Sequence, residues 1–203
     1  MSGRSACRAD RWEVRSRESV ATTTLTGSRL TYEDYLAFPE DGRSHEIIDG
    51  VHHVSAAPNI DHQRISRHIQ FQLYSQIELA GLGEVFNAPT AVHLTDHDIV
   101  EPDLLVVLSA RDSYLTERTV AGPPNLVVEV LSPSTRSKDR ELKLSLYQRA
   151  GVDEYWIVDP VARAVVKHVR RDARLVLAGT FTDSIAFDGL HGVVVDLSRV
   201  WPS

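Results

Sequence analysis

An α/β fold with a mixed central β-sheet flanked by helices is the architecture this sequence predicts, and three observations carry it. Short runs rich in Val and Leu, among them Leu104-Leu105-Val106-Val107 and Leu126-Val127-Val128, are each closed by turn-forming residues, as strands buried on both faces are. Between such runs lie two stretches with helical spacing, over 60–80 and over 138–150. Strands and helices that alternate in this way build layers, with helices covering a sheet.

Composition bounds the possibilities. A chain of 203 residues is long enough for one domain with its own core. Its 42% hydrophobic and 25% charged content is that of an ordinary globular protein and not of a disordered chain. No apolar run approaches the roughly eighteen residues that span a bilayer, and the N-terminus has no apolar signal core, so a cytoplasmic location is expected. Cys7 is the sole cysteine, which excludes an internal disulfide and any multi-cysteine zinc site. The net charge of −6 lacks the overall basic footprint of most nucleic-acid binders, although a nuclease can hold its acids in one cluster and present basic groups locally.

In chain order, residues 1–26 carry five arginines and no sustained periodicity, and read as a loosely attached leader; removing it leaves 17 basic and 25 acidic residues. Residues 27–203 then read as a single domain, without repeat or low-complexity tract. Thr31 is placed to cap a short helix, with Asp34 three positions on to answer its amide. Asp49-Gly50 is the strongest hairpin signal, between strands beginning at Ser44 and Val51. Period-two alternation puts Glu46 on the face of Ile48 and places it to join acids elsewhere. Ile65, Ile69, Leu73 and Ile77 recur every fourth position, the stripe of a helix that Gly81 ends. His62 and His68 near its start read as solvated helix residues. Strands follow around 84–86 and 91–94, and a turn at 95–98 leads into a central strand from Ile99 through Val107. Residues 109–125 read as a short helix and loop. A helix carrying Lys143 on one side and Leu142, Leu146 and Tyr147 on the other stops at Gly151. A buried strand over 154–160 and a hairpin turning at Arg171-Asp172 complete the sheet.

The first central run carries Glu101 and Asp103 and the second Glu129. An unpaired acid in such a place costs several kcal/mol or takes up a proton. Compensation comes from a cation, from backbone donors or from a divalent metal, and a structural salt bridge accounts for any one acid alone. Phosphodiester hydrolysis is one chemistry that uses two or three carboxylates, because Mg²⁺ takes oxygen ligands and needs no His or Cys cluster, and a nearby lysine can orient water and offset charge. Asp103, Glu129 and Glu46 suit such a role. The sequence has no G-x-S-x-G elbow, no Walker loop, no G-x-G-x-x-G and no H-E-x-x-H.

Pro102-Asp103 followed by Glu129-Val130-Leu131 resembles the PD-(D/E)XK nuclease signature. A longer series is similar to the Uma-type bacterial putative restriction endonucleases. It comprises Tyr32-Glu33-Asp34-Tyr35-Leu36, Glu46-Ile47-Ile48-Asp49-Gly50, Glu101-Pro102-Asp103-Leu104, Val128-Glu129-Val130-Leu131-Ser132-Pro133-Ser134-Thr135, Asp139 with Lys143 and Tyr147, and Gly151 through Pro160. The resemblance covers about residues 30–200. It implies a restriction-endonuclease-like core and a Mg²⁺-dependent DNA endonuclease, with Mn²⁺ as a possible substitute and a homodimer as the working form. Asp103 and Glu129 would bind metal, Glu46 would complete the acidic cluster, and Lys143 would position the attacking water. The general signature has its lysine two residues after the second acid, where this chain has Leu131. That departure leaves open a non-catalytic DNA- or protein-interaction module that keeps the fold. A hydrolase of small phosphate esters is a third reading, which a closed pocket would mark.

Overall fold

The computed structural model describes residues 29–132 and 138–202, with the backbone alone for 138–140. The expected leader, the Pro133-Ser134-Thr135 stretch and the side chains of Lys138, Asp139 and Arg140 lie outside the described residues.

The chain enters through α1 (Tyr32–Tyr35), where the Asp34 carboxylate accepts the Thr31 amide at 2.8 Å, as the capping spacing predicts. β1 (Ser44–Ile48) and β2 (Val51–Ser55) form an antiparallel hairpin. Both turn residues adopt positive φ, 54° at Asp49 and 76° at Gly50, as a two-residue primed turn requires. A Cβ at Gly50 would also lie 2.5 Å from that of Arg29, so glycine is needed twice over. α2 (Ile60–Ile77) is capped by Asn59, whose Oδ1 accepts the His62 amide at 2.9 Å. Its predicted stripe, Ile65, Ile69, Leu73 and Ile77, is fully buried. Each of these side chains contributes roughly 1.5–3 kcal/mol by leaving water.

β3 (Gly83–Asn87), β4 (Ala91–Thr95), β5 (Asp98–Val100) and β6 (Leu104–Leu108) come next. Here the structure corrects the reading of one strand from Ile99 through Val107, because β5 and β6 belong to different sheets. Pro102 has no N–H to give to a ladder and breaks the run where the chain crosses over. Asp103 stands in that crossing, directly before β6. The 109–125 segment holds a 3₁₀ helix at Ser109–Tyr114 and the two-residue β7 (Thr119–Val120). β8 (Leu126–Val130), α3 (Lys138–Ala150) and β9 (Glu154–Asp159) make a β-α-β unit with parallel strands, and Gly151 at φ 95° ends the helix. The chain closes with the hairpin of β10 (Ala164–Arg171) and β11 (Arg174–Phe181), then that of β12 (Ser184–Ala186) and β13 (Val194–Asp196).

The six-stranded central sheet runs β11-β10-β9-β8-β6-β3 and is mixed, with β8 and β9 parallel and its other pairs antiparallel. A second, five-stranded sheet, β2-β1-β5-β4-β7, was not foreseen. Its strands are only two to five residues long, too short to announce a sheet of their own. On one face of the central sheet, α2, β13, Leu197 and Val200 cover Val106, Val128 and Trp156. On the other, α3 and the second sheet pack over Leu105, Val107 and Val127. Glu129 follows Val127 by two residues, so its side chain projects toward α3 and the second sheet. No helix among the described residues is long and apolar enough to cross a membrane.

Candidate active site

Glu129 is the fourth residue of β8. Lys143 and Tyr147, expected on opposite sides of the helix, lie one turn apart on α3 and face it together, the ammonium donating to Glu129 Oε1 at 2.8 Å and the phenol at 2.7 Å, because residues four apart share a helix face. From the second sheet, Glu46 on β1 accepts from the same ammonium at 3.0 Å. The alternation expected of that strand holds, for Ile48 packs in the cluster shared by the two sheets. Glu46 Oε1 also accepts the Glu101 amide at 2.9 Å, and Glu101 in turn accepts the Tyr35 hydroxyl at 2.7 Å. Lys143 therefore bridges one acid from each sheet. Arginines fix the far end of its helix: Arg149 pairs with Asp98 at 2.7 Å and Asp49 at 3.0 Å, and Arg170 donates to the Gln148 carbonyl at 2.8 Å.

Asp103 comes from the neighbouring strand. Leu104 faces Val128 across β6 and β8, so one step further along the register Asp103 stands opposite Glu129. Its Oδ2 accepts the Val130 amide at 2.7 Å and lies 3.0 Å from His62 Nε2. The reading of His62 as a solvated helix residue is thus corrected: its side chain is 11% exposed and packed against Asp103, whereas His68 is exposed as expected. The sequence offers only a faint clue, a histidine in the first turn of a helix whose partner is far along the chain. Leu131, at the usual lysine position, is buried among apolar residues.

Burial pushes the Glu129 carboxyl up to about 7 against the pull of the Lys143 charge, with the charges of Asp103 and Glu46 adding to the rise. For Lys143 burial works the other way, but the charges of Glu129 and Glu46 outweigh it and hold the ammonium well above the ordinary lysine value. His62 is likewise disfavoured as a cation by burial, yet the hydrogen bond and charge of Asp103 raise its proton affinity. Burial raises Glu101 above the ordinary carboxylate value. The site is thus a line of charged side chains, His62, Asp103, Glu129, Lys143 and Glu46, in which the acids Asp103 and Glu129 stand side by side between His62 and Lys143.

The three acids do not close on one point. Among the described residues no set of three His, Cys, Asp or Glu side chains is spaced to hold a metal ion. Glu46 spends its Oε1 on Lys143 and the Glu101 amide. Asp103 Oδ1 and Glu129 Oε2, in contrast, carry no hydrogen bond to a described residue. Two hard oxygen donors on facing positions suit Mg²⁺, which binds through one or two carboxylates and keeps several waters.

A model of the Uma2 family, described as putative restriction endonuclease, matches residues 32–198. The uncharacterized protein slr1290 of Synechocystis is 31% identical over 121 residues, 59% of this chain, and the match spans 62% of its own length, less than two thirds. Among solved structures, that of a putative nuclease belonging to DUF820 from Anabaena variabilis is similar with a TM-score of 0.67 at 18% identity, covering 85% of this chain and 97% of that one. The likeness to that structure is one of fold.

Proposed function

This chain belongs to the Uma2 putative restriction endonuclease family, and from that premise we propose that it is a Mg²⁺-dependent DNA endonuclease of the cytoplasm whose site is Glu46, Asp103, Glu129 and Lys143. One observation carries the reading: Lys143, on a helix, reaches Glu129 Oε1 at 2.8 Å beside Asp103, although the strand position two after Glu129 is a leucine. The helix supplies the ammonium that the strand lacks. Asp103 and Glu129 would hold the metal through Oδ1 and Oε2, and Mn²⁺ would serve in the same donors. When bound, the ion supplies charge neutralisation at the phosphate and an acidified water. Glu46 and Tyr147 fix Lys143 and Glu129 in place, and the ammonium offers an N–H to the attacking water or to a phosphate oxygen. The water oxygen bonds to phosphorus, the bond from phosphorus to the leaving sugar oxygen breaks, and the proton given up by the water is balanced by one taken up at the leaving oxygen. Cutting both strands of a duplex asks for two sites, so a homodimer belongs to the proposal.

The test is nicking of a supercoiled plasmid with Mg²⁺ or Mn²⁺. The wild-type chain is expected to convert it to the relaxed form and Asp103→Ala to leave it intact. Equal, negligible conversion by both proteins refutes the endonuclease and favours an interaction module that retains the fold.

A further inference from the structure

A hollow adjoins Asp103 on the α2 side, sharing His62 and Asp103 with the site described above and extending from them along α2. Gln63, Arg67 and Gln70 line it, together with His62, Asn87 and Asp103. Positions 63, 67 and 70 form a single stripe of α2, at the spacing of residues that share a helix face. Gln70 donates to Asn87 Oδ1 at 3.1 Å, and the Gln63 side chain has no hydrogen bond to a described residue. The wall is therefore neutral amide with one fixed positive charge, ending at an acid.

That charge is unusual in this molecule. Most arginines of the described residues are bound to a carboxylate or a carbonyl, as neighbouring Arg64 is to Asp61 at 3.2 Å. Among the described residues Arg67, Arg118 and Arg174 have neither kind of partner, and of these three Arg67 alone lines the hollow. A guanidinium left unpaired beside an acidic site has an anion as its natural partner, and planar bidentate pairing with phosphate oxygens is the contact it makes best. Gln63, one turn earlier, offers N–H donors to the same backbone.

We infer that Arg67, with Gln63 beside it, grips a phosphate of duplex DNA next to the one presented to Asp103, so that the Gln63-Arg67-Gln70 stripe of α2 tracks the strand being cut. This rests on the nuclease reading. The contact is to backbone and carries no sequence information of its own.

The test is fluorescence anisotropy of a labelled duplex with the full chain in an Asp103→Ala background with Mg²⁺, so that nothing is cut. Arg67→Ala is compared with Arg174→Ala, which removes the same charge from an arginine equally unpaired but outside the hollow. Arg67→Ala is expected to weaken binding about tenfold. It should also reduce the slope of log affinity against log salt by about 1, while Arg174→Ala changes neither. Arg67→Lys should keep most of the salt slope and lose part of the affinity. Plasmid nicking by the wild-type chain, with equal binding by Arg67→Ala and Arg174→Ala, overturns this inference and leaves the nuclease standing. If the wild-type chain neither binds nor nicks DNA, the nuclease reading fails and the inference goes with it.

Discussion

Among the described residues two lysines, Lys143 and Lys167, are each set between two carboxylates, and they differ in how fully they are matched. Lys167 on β10 gives its ammonium to Glu154 Oε1 at 3.0 Å, Asp188 Oδ1 at 2.6 Å and the Ala186 carbonyl at 2.6 Å, one acceptor for each N–H. Glu154 is as fully used, taking the Trp156 indole at 2.6 Å on Oε1 and the Asp188 amide at 2.9 Å on Oε2. Lys143 has two acceptors among the described residues, Glu46 and Glu129, and a third N–H without one. Glu129 Oε2 beside it accepts from no described residue. The lysine side chains are 14% and 5% exposed for Lys143 and Lys167. A cluster whose ammonium and buried carboxylate have all their groups matched serves to hold the fold together. One that leaves a donor and an acceptor spare, next to a third acid and near water, has the means to engage a substrate and an ion.

Removing each cation breaks or sharpens this contrast most strongly. Lys167→Met leaves a fully buried carboxylate without its partner and is expected to cost about 3–5 kcal/mol in urea unfolding. Its nicking rate per folded molecule should stay at the wild-type level. Lys143→Met is expected to lower nicking about 10²–10³-fold, the loss seen when one preorganised donor is removed. Its stability should fall less, because Glu129, already pushed up to about 7, can take a proton and shed its charge. Were Lys143→Met as destabilising as Lys167→Met, with nicking that follows the folded fraction alone, the two clusters would be of one kind.

Much of the first cluster was legible in the sequence, and the second was not. Glu46, Asp103 and Glu129 stand out because acids in apolar runs demand compensation, and Lys143 through the order of the family series. The stripe of α2 and the Asp49-Gly50 turn were readable because helical period and positive φ leave local marks. Lys167 leaves none. A lysine in a strand reads as solvent-facing, and it is buried here because Asp188 and the Ala186 carbonyl close over it from a distant hairpin. His62 escaped for the same reason, since its partner is set by how α2 packs beside β6. The split at Pro102 was written in the sequence, but two short apolar runs on either side disguised it as one strand. Local chemistry shows in a sequence; which distant segments meet is decided by packing.

The closed cluster also has its own pH signature. Burial raises the proton affinity of Glu154 above the ordinary 4.5, against the hydrogen bonds from Lys167 and Trp156 that lower it. Because the folded chain holds this proton more tightly than the unfolded one, the group contributes stability that is fully present below 4.5 and lost as pH rises through its folded value. Glu154→Gln carries no such titration. The stability difference between wild type and variant, followed by urea unfolding from acid to neutral pH, should therefore favour the wild type most at the acid end and shrink as pH rises. A difference constant across that range would show that the hydrogen bonds cancel the effect of burial, and one that grows with pH would show that they outweigh it.

The smallest expected effect lies in the open cluster, at Tyr147. Its hydroxyl donates to Glu129 Oε1 at 2.7 Å, and a donor to a carboxylate favours the ionised form. In the proposed mechanism Glu129 holds the metal as a carboxylate, so the nicking rate is expected to rise with pH through about 7 and then level off. Tyr147→Phe deletes the donor while keeping the ring against Tyr155. The ascending limb should move to higher pH by about one unit, the size of one hydrogen bond to a charged group shared with a second donor. The plateau should stay near the wild-type rate, because Lys143 keeps Glu129 in place. A limb that stays where it was would mean that the proton controlling the rate is not held on Glu129, and a plateau that collapses would mean that Tyr147 does more than hold that carboxylate still.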